Sequence, residues 1–149
     1  MVENINNIKL KIMGLFRNNY FNQFHIREMA RLIGKSHVTL LPHLKSFEKD
    51  KILLLKNIGK SKVYSLNLEN NQGKEFLSLS EKKKTLNLLN KKFLIKKLYD
   101  EFFNLRLDGC LVLFGSYASS THNKESDIDL LYIGELKESE KKKIKEFGK

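Results

Sequence analysis

The chain has 149 residues, room for one ordinary domain or two small ones. It is 41% hydrophobic, enough for a core, but no apolar run reaches the ~18 residues of a membrane-spanning helix. Met1-Val2-Glu3-Asn4 opens no secretory signal, and Cys110 is the only cysteine, so an internal disulfide is excluded and a reducing cytoplasm is expected. The net charge of +11 leans toward the first half, where residues 1–70 hold 12 Lys/Arg against 5 Asp/Glu. Such a surplus suits a polyanion, although Lys- and Asn-rich composition alone also makes a chain basic.

Ile5, Ile8, Ile12 and Leu15 recur at spacings of three and four, which predicts a helix from about Asn4 to Asn18. Ile26, Met29, Ala30 and Ile33 repeat the pattern in a shorter helix stopped by Gly34. Ser36 can cap a third helix, whose apolar side is Leu40, Leu41, Leu44 and Phe47. Two short helices joined by a glycine turn form a helix–turn–helix, in which the second helix meets the major groove with its N-terminal residues. Those residues here are Ser36, His37, Thr39 and His43, with Lys45 behind them, suited to phosphates and base edges. Pro42 sits about six residues into that helix, so either the axis bends or the helix starts later.

Ile52–Leu55 and Val63–Leu68 read as strands, the second with Tyr64, Leu66 and Leu68 alternating against Ser65 and Asn67. The segment between them, Lys56 to Lys62, is a hairpin tip with Gly59 for the turn and Lys56, Lys60 and Lys62 for a phosphate backbone. Three helices and a hairpin are the order of a winged helix, and residues 5–68 resemble the winged-helix regulators of archaea and bacteria. The resemblance implies DNA as partner. The other readings are a protein-contact module, or a charged hairpin edge that only prevents aggregation.

Residues 69–75 are polar and look like a boundary, after which Leu86, Leu89 and Phe93, then Leu94, Leu98, Phe102 and Leu105, predict one long helix or two joined near Asn90. This helical linker, residues 71–106, could connect domains or pair with a second copy to give a homodimer.

Cys110-Leu111-Val112-Leu113-Phe114 is a short apolar run expected as a buried strand, ending in Gly115-Ser116, which opens a helix. After ten intervening residues, Asp127-Ile128-Asp129-Leu130-Leu131-Tyr132-Ile133 is expected as a second strand. In a strand, residues i and i+2 share a face, so Asp127 and Asp129 would present two carboxylates side by side, with Ile128 and Leu130 facing the core. Two close anions call for a cation, and hard oxygen donors suit Mg²⁺ with substrate phosphates. The Gly115-Ser116 bend offers backbone N–H groups and a hydroxyl to phosphate.

Phe114-Gly115-Ser116-Tyr117-Ala118 followed by Ser126-Asp127-Ile128-Asp129-Leu130-Leu131 resembles the signature of the polymerase-beta-type nucleotidyltransferases, most nearly the minimal ones of bacteria and archaea, some of which are antitoxins. The resemblance implies an α+β protein: a winged helix–turn–helix over residues 1–70, the linker, and a partial nucleotidyltransferase α/β fold over 107–149. It implies that Gly115 and Ser116 hold the triphosphate of ATP or another NTP. It further implies that Asp127 and Asp129 bind Mg²⁺ and that a nucleotidyl group, adenylyl by expectation, passes to a protein or small acceptor. A toxin or other protein is an implied partner, and a membrane is not. Two features depart from the family. Ser119-Ser120 stands where the minimal group carries Arg-Gly or Ser-Gly, and the family's third carboxylate, on a later strand, has no counterpart in the sixteen residues after Ile133. Glu135, Glu138, Glu140 and Glu146 lie in a Lys/Glu-rich helical pattern unsuited to that role. A truncated chain, an inactive nucleotide-binding remnant in a DNA-binding regulator or antitoxin, and a site completed by a partner are all compatible with this pattern.

Overall fold

The computed structural model describes residues 7–59, 61–119, 121–123 and 125–146. Ile5 of the expected first stripe and Lys60 of the hairpin tip lie outside them. The chain divides into two compact units, residues 1–88 and 89–149. Helices and strands occur in both, in an α+β arrangement.

In the first unit, α1 (Asn7–Gly14) buries Ile12 and Met13, and Phe16 just beyond it is fully buried too. α2 (Ile26–Ile33) presents Met29 and Ala30 to the core. Gly34 ends α2 at φ +71, and the amides of Gly34 and Lys35 return to the carbonyls of Arg31 and Ala30, a Schellman-type close. α3 (His37–Lys49) starts where expected, because the Ser36 hydroxyl accepts the Thr39 amide at 3.2 Å. The helix runs through Pro42. The proline removes only the bond to the Val38 carbonyl, and Val38 is exposed, so water can take that acceptor. Leu40, Leu44 and Phe47 are fully buried, as their spacing predicts.

The strands of this unit lie differently from the sequence expectation. β2 (Leu53–Ile58) and β3 (Ser61–Leu66) form the hairpin, with Ile58 opposite Ser61 and Gly59 in the tip at φ +58. Both strands reach further into the tip than the expected Ile52–Leu55 and Val63–Leu68. Leu68 falls outside β3 and is exposed. A third strand, β1 (Gln23–His25), pairs antiparallel with β3, giving the order β1-β3-β2. β3 is therefore central, and Val63 is buried along with Tyr64 and Leu66 instead of alternating outward.

α4 (Asn71–Lys91) begins inside the segment expected as a boundary. Asn70 starts it, its side-chain oxygen accepting the Gly73 amide at 2.8 Å while its amide nitrogen donates to the Asp50 carbonyl. Phe76 and Leu77 pack on the core, and the Phe76 ring meets Phe47 edge-on at 5.1 Å. The residues read as a linker are thus shared between the two units.

In the second unit, α5 (Phe93–Asn104) follows a break at Lys92, close to the predicted junction. β4 (Gly109–Phe114) pairs antiparallel with β5 (Asp129–Gly134). Between them lies α6 (Gly115–Ser119), and α7 (Glu138–Glu146) follows. On one sheet face Leu111, Leu130 and Tyr132 look toward Leu94, Leu98 and Phe102 of α5 across a cavity of about 540 Å³. The other face carries Cys110, Phe114, Leu131 and Ile133, all exposed. No described helix is long and apolar enough to cross a membrane.

Candidate functional site

The expected strand Asp127–Ile133 needs correction. β5 starts at Asp129, because its partner β4 ends at Phe114, opposite Asp129, where the chain turns through Gly115 into α6. Asp127 lies ahead of the ladder, with no strand partner among the described residues, so strand alternation does not extend to it and the two carboxylates do not share a strand face as expected. It is exposed, at the rim of the cavity lined by Leu130 and Tyr132. Ile128 and Leu130 line that cavity, as expected of core-facing residues.

Asp129 is half-buried on the face it shares with Phe114. Its carboxylate rests on Gly115, whose φ is +68. Glycine is needed there twice: the backbone is left-handed, and a β-carbon would overlap the Asp129 carboxylate. One of the two acidic groups is therefore held at the Gly115-Ser116 bend, and the second is in the irregular segment just before it. That segment is laced by its own side chains. The Ser126 hydroxyl accepts the Asn123 amide at 2.9 Å, and the Asn123 side chain accepts the Glu125 amide at 2.9 Å. The Ser119 hydroxyl donates to the carbonyl of Gly115 and contacts the Thr121 hydroxyl at 2.8 Å, closing α6.

Three residues that the sequence reading did not single out border this motif. The Tyr117 and His122 rings stack at 4.1 Å, and Lys92 Nζ lies 2.8 Å from His122 Nε2. The other ring nitrogen of His122, Nδ1, is buried and has no partner among the described residues. Only the position of Tyr117, directly after Gly115-Ser116, could have signalled this in the sequence. The Tyr132 hydroxyl is also buried and unpartnered; burial first, then the nearby Glu140 and Asp108, raise its pKa above the ordinary 10.0.

Asp129 and Asp127 are oxygen donors of the kind a hard cation takes. Among the described residues no three of His, Cys, Asp and Glu gather to hold a metal alone. Two carboxylates with phosphate oxygens are the ligand set Mg²⁺ commonly takes.

On the first unit, the residues proposed to face nucleic acid lie at the start of α3 and on the hairpin. His37, Thr39 and Lys45 are exposed and His43 is half-buried. Ser36 and Thr39 are bonded to each other, hydroxyl to hydroxyl at 2.8 Å, so their first role is to cap α3. Lys62 is exposed on β3, and its carbonyl meets His25 Nδ1 at 3.3 Å.

A family model described as nucleotidyltransferase domain matches residues 95–149. No curated protein matches the chain. Among solved structures, the adhesin competence repressor AdcR of Streptococcus pyogenes is 17% identical, with 70% of this chain and 81% of that chain covered and a TM-score of 0.48. Reduced HlyU from Vibrio cholerae N16961 is 18% identical over 54% and 77% of the two chains, at 0.42. Sso10a-2, a DNA-binding protein from Sulfolobus solfataricus, is 18% identical over 69% and 99%, at 0.43. Likeness at this level assigns no function. The fold and the family match together make this chain a winged-helix unit followed by a segment that matches the nucleotidyltransferase domain family.

Proposed function

We propose that the second unit transfers a nucleotidyl group, adenylyl first among the candidates, from an NTP to a hydroxyl of a protein or small acceptor, while the first unit binds DNA. The observation that carries the reading is the Asp129 carboxylate seated on Gly115 at the Gly-Ser bend, within the segment that matches the nucleotidyltransferase domain. Gly115 lets the backbone approach the triphosphate, and Ser116 offers its hydroxyl and amide to it. Asp129 and Asp127 are the residues to hold Mg²⁺, which when bound neutralises charge on the reacting phosphate. In the transfer an acceptor oxygen bonds to the α-phosphorus, the bond to the β-phosphate bridging oxygen breaks, and pyrophosphate leaves. Residues 1–70 are assigned to DNA, through the start of α3 (Ser36, His37, Thr39, His43, Lys45) and the hairpin lysines Lys60 and Lys62; residues 107–149 are assigned to the nucleotide.

Purified chain incubated with ATP labelled at the α-phosphate and Mg²⁺ should label itself or an added acceptor. Asp129→Asn should abolish the label, and ATP labelled at the γ-phosphate should give none. Absence of label with all four nucleotides refutes transfer by this chain alone. A second reading is favoured by the lack of a third gathered carboxylate among the described residues: a DNA-binding regulator or antitoxin with an inactive nucleotidyltransferase segment. It expects DNA binding that survives Asp129→Ala and fails in Lys60→Ala/Lys62→Ala.

A further inference from the structure

The first unit holds a concave site that includes none of the residues assigned to DNA and lies outside the nucleotidyltransferase match. α1, the end of α2 and the middle of α4 border a groove of about 390 Å³. Four cations line it: Lys11, Arg17, Lys83 and Lys84. Arg17 is pinned in place. Its Nε donates to the Gly14 carbonyl at 3.2 Å and its Nη1 to the Ser80 carbonyl at 3.1 Å, with Glu81 at 3.7 Å. Lys83 donates to the Asn7 side chain at 2.5 Å. Lys11 and Lys84 are exposed at the mouth. Ser80 also lines the groove, is 2% exposed, and its hydroxyl has no partner among the described residues. Leu10 and Leu32 supply apolar wall.

A run of lysines on one helix face is ordinarily a solvated surface. Here the cations come from two helices and the segment after α1, converge on one concavity, and include an arginine already ordered by backbone acceptors. Glu81 balances Arg17 in part; the remaining like charges are relieved when an anion enters, and an ordered guanidinium spends little entropy on receiving it. The size is that of a small-molecule site, too small for the continuous track that a nucleic-acid backbone follows. We propose that this groove binds the phosphate group of a small organic molecule. Arg17, Lys11 and Lys84 meet the phosphate, Ser80 turns its unspent hydroxyl toward it, and the apolar part of the ligand rests on Leu10 and Leu32.

The test is calorimetric titration of the full chain with inorganic pyrophosphate in EDTA at fixed ionic strength. Without metal, Asp127 and Asp129 repel phosphate, so the heat reports the groove and not the Gly-Ser bend. Saturable binding is expected, weakened about tenfold or more in Lys11→Gln/Lys84→Gln. Both lysines are exposed, and an unchanged circular dichroism spectrum checks that the variant folds. Absence of saturable heat with the wild-type chain overturns the proposal, as does equal affinity in the groove variant. Displacement of pyrophosphate by a short DNA duplex in a Lys60→Ala/Lys62→Ala background overturns it in favour of a nucleic-acid backbone as the phosphate source.

Discussion

Gly115→Ala and Gly34→Ala differ by one physical term, which makes them a matched test of the site. Both glycines have left-handed backbones, at φ +68 and φ +71. An alanine in that conformation costs about 1–2 kcal/mol at either position. At Gly34 a β-carbon would meet nothing within 4 Å, so that cost is the whole effect. At Gly115 it would overlap the Asp129 carboxylate, and Asp129 is tied to Phe114 by the β4–β5 ladder. Relieving the overlap means moving a paired residue, which adds about 1–3 kcal/mol by analogy with overpacked cores. Peptide-resolved hydrogen exchange can read each unit separately. Relative to wild type, Gly34→Ala should speed exchange in α2 and α3 modestly. Gly115→Ala should speed it in β4, α6 and β5 by a further factor of roughly 5–150, and nucleotide labelling should be lost. If Gly115→Ala perturbs its unit no more than Gly34→Ala perturbs the other, the Asp129 carboxylate is not seated on Gly115 and the Gly-Ser bend is not the nucleotide site.

Three other outcomes follow from the structure. Ser36→Ala removes the α3 cap and should lower the stability of the first unit by about 1 kcal/mol in urea unfolding, whereas Ser36→Asp should largely restore it. Burial, then Glu48, raises the Tyr64 pKa above 10.0. The fold therefore favours the neutral phenol, so its contribution is complete below pH 10.0 and shrinks as pH rises toward the folded-state value. Urea midpoints measured through that range should fall less steeply in Tyr64→Phe. Lys62→Ala should weaken DNA binding about equally for unrelated sequences and reduce the salt slope by about one unit. A change confined to one sequence would instead mean that Lys62 reads a base.

Much of the first unit was legible because its signals are local. Gly34 and Ser36 punctuate α2 and α3 by backbone rules that depend on little beyond neighbouring residues. The apolar spacing from Ile26 to Phe47 marks the buried faces directly. β1 was not legible, since three residues with one inward side chain, Phe24, leave no periodic trace. Its pairing with β3 then changed which residues of β3 are buried, an effect no local pattern carries. Asn70 misled for a different reason: a polar residue at a helix start is also what a loop looks like, and only its bond to Gly73 separates the two. At the site, Gly115 and Asp129 were legible as a motif. The position of Asp127 outside the strand was not, because the length of β5 is set by where its partner turns away.

The sheet of the second unit has a consequence for the behaviour of the protein in solution. Among the described residues it consists of β4 and β5 alone, so each strand has an outer side whose amides and carbonyls find no neighbouring strand in the described structure. Phe114, Leu131 and Ile133 stand on its bare face at 48–58% exposure. A two-stranded ribbon with an exposed apolar face, and no neighbouring strand among the described residues, is receptive to an extended segment laid alongside it. Concentrated stocks of this chain should therefore become turbid first through β4 and β5, and a lysine placed at Leu131 should keep them clear without touching the winged helix.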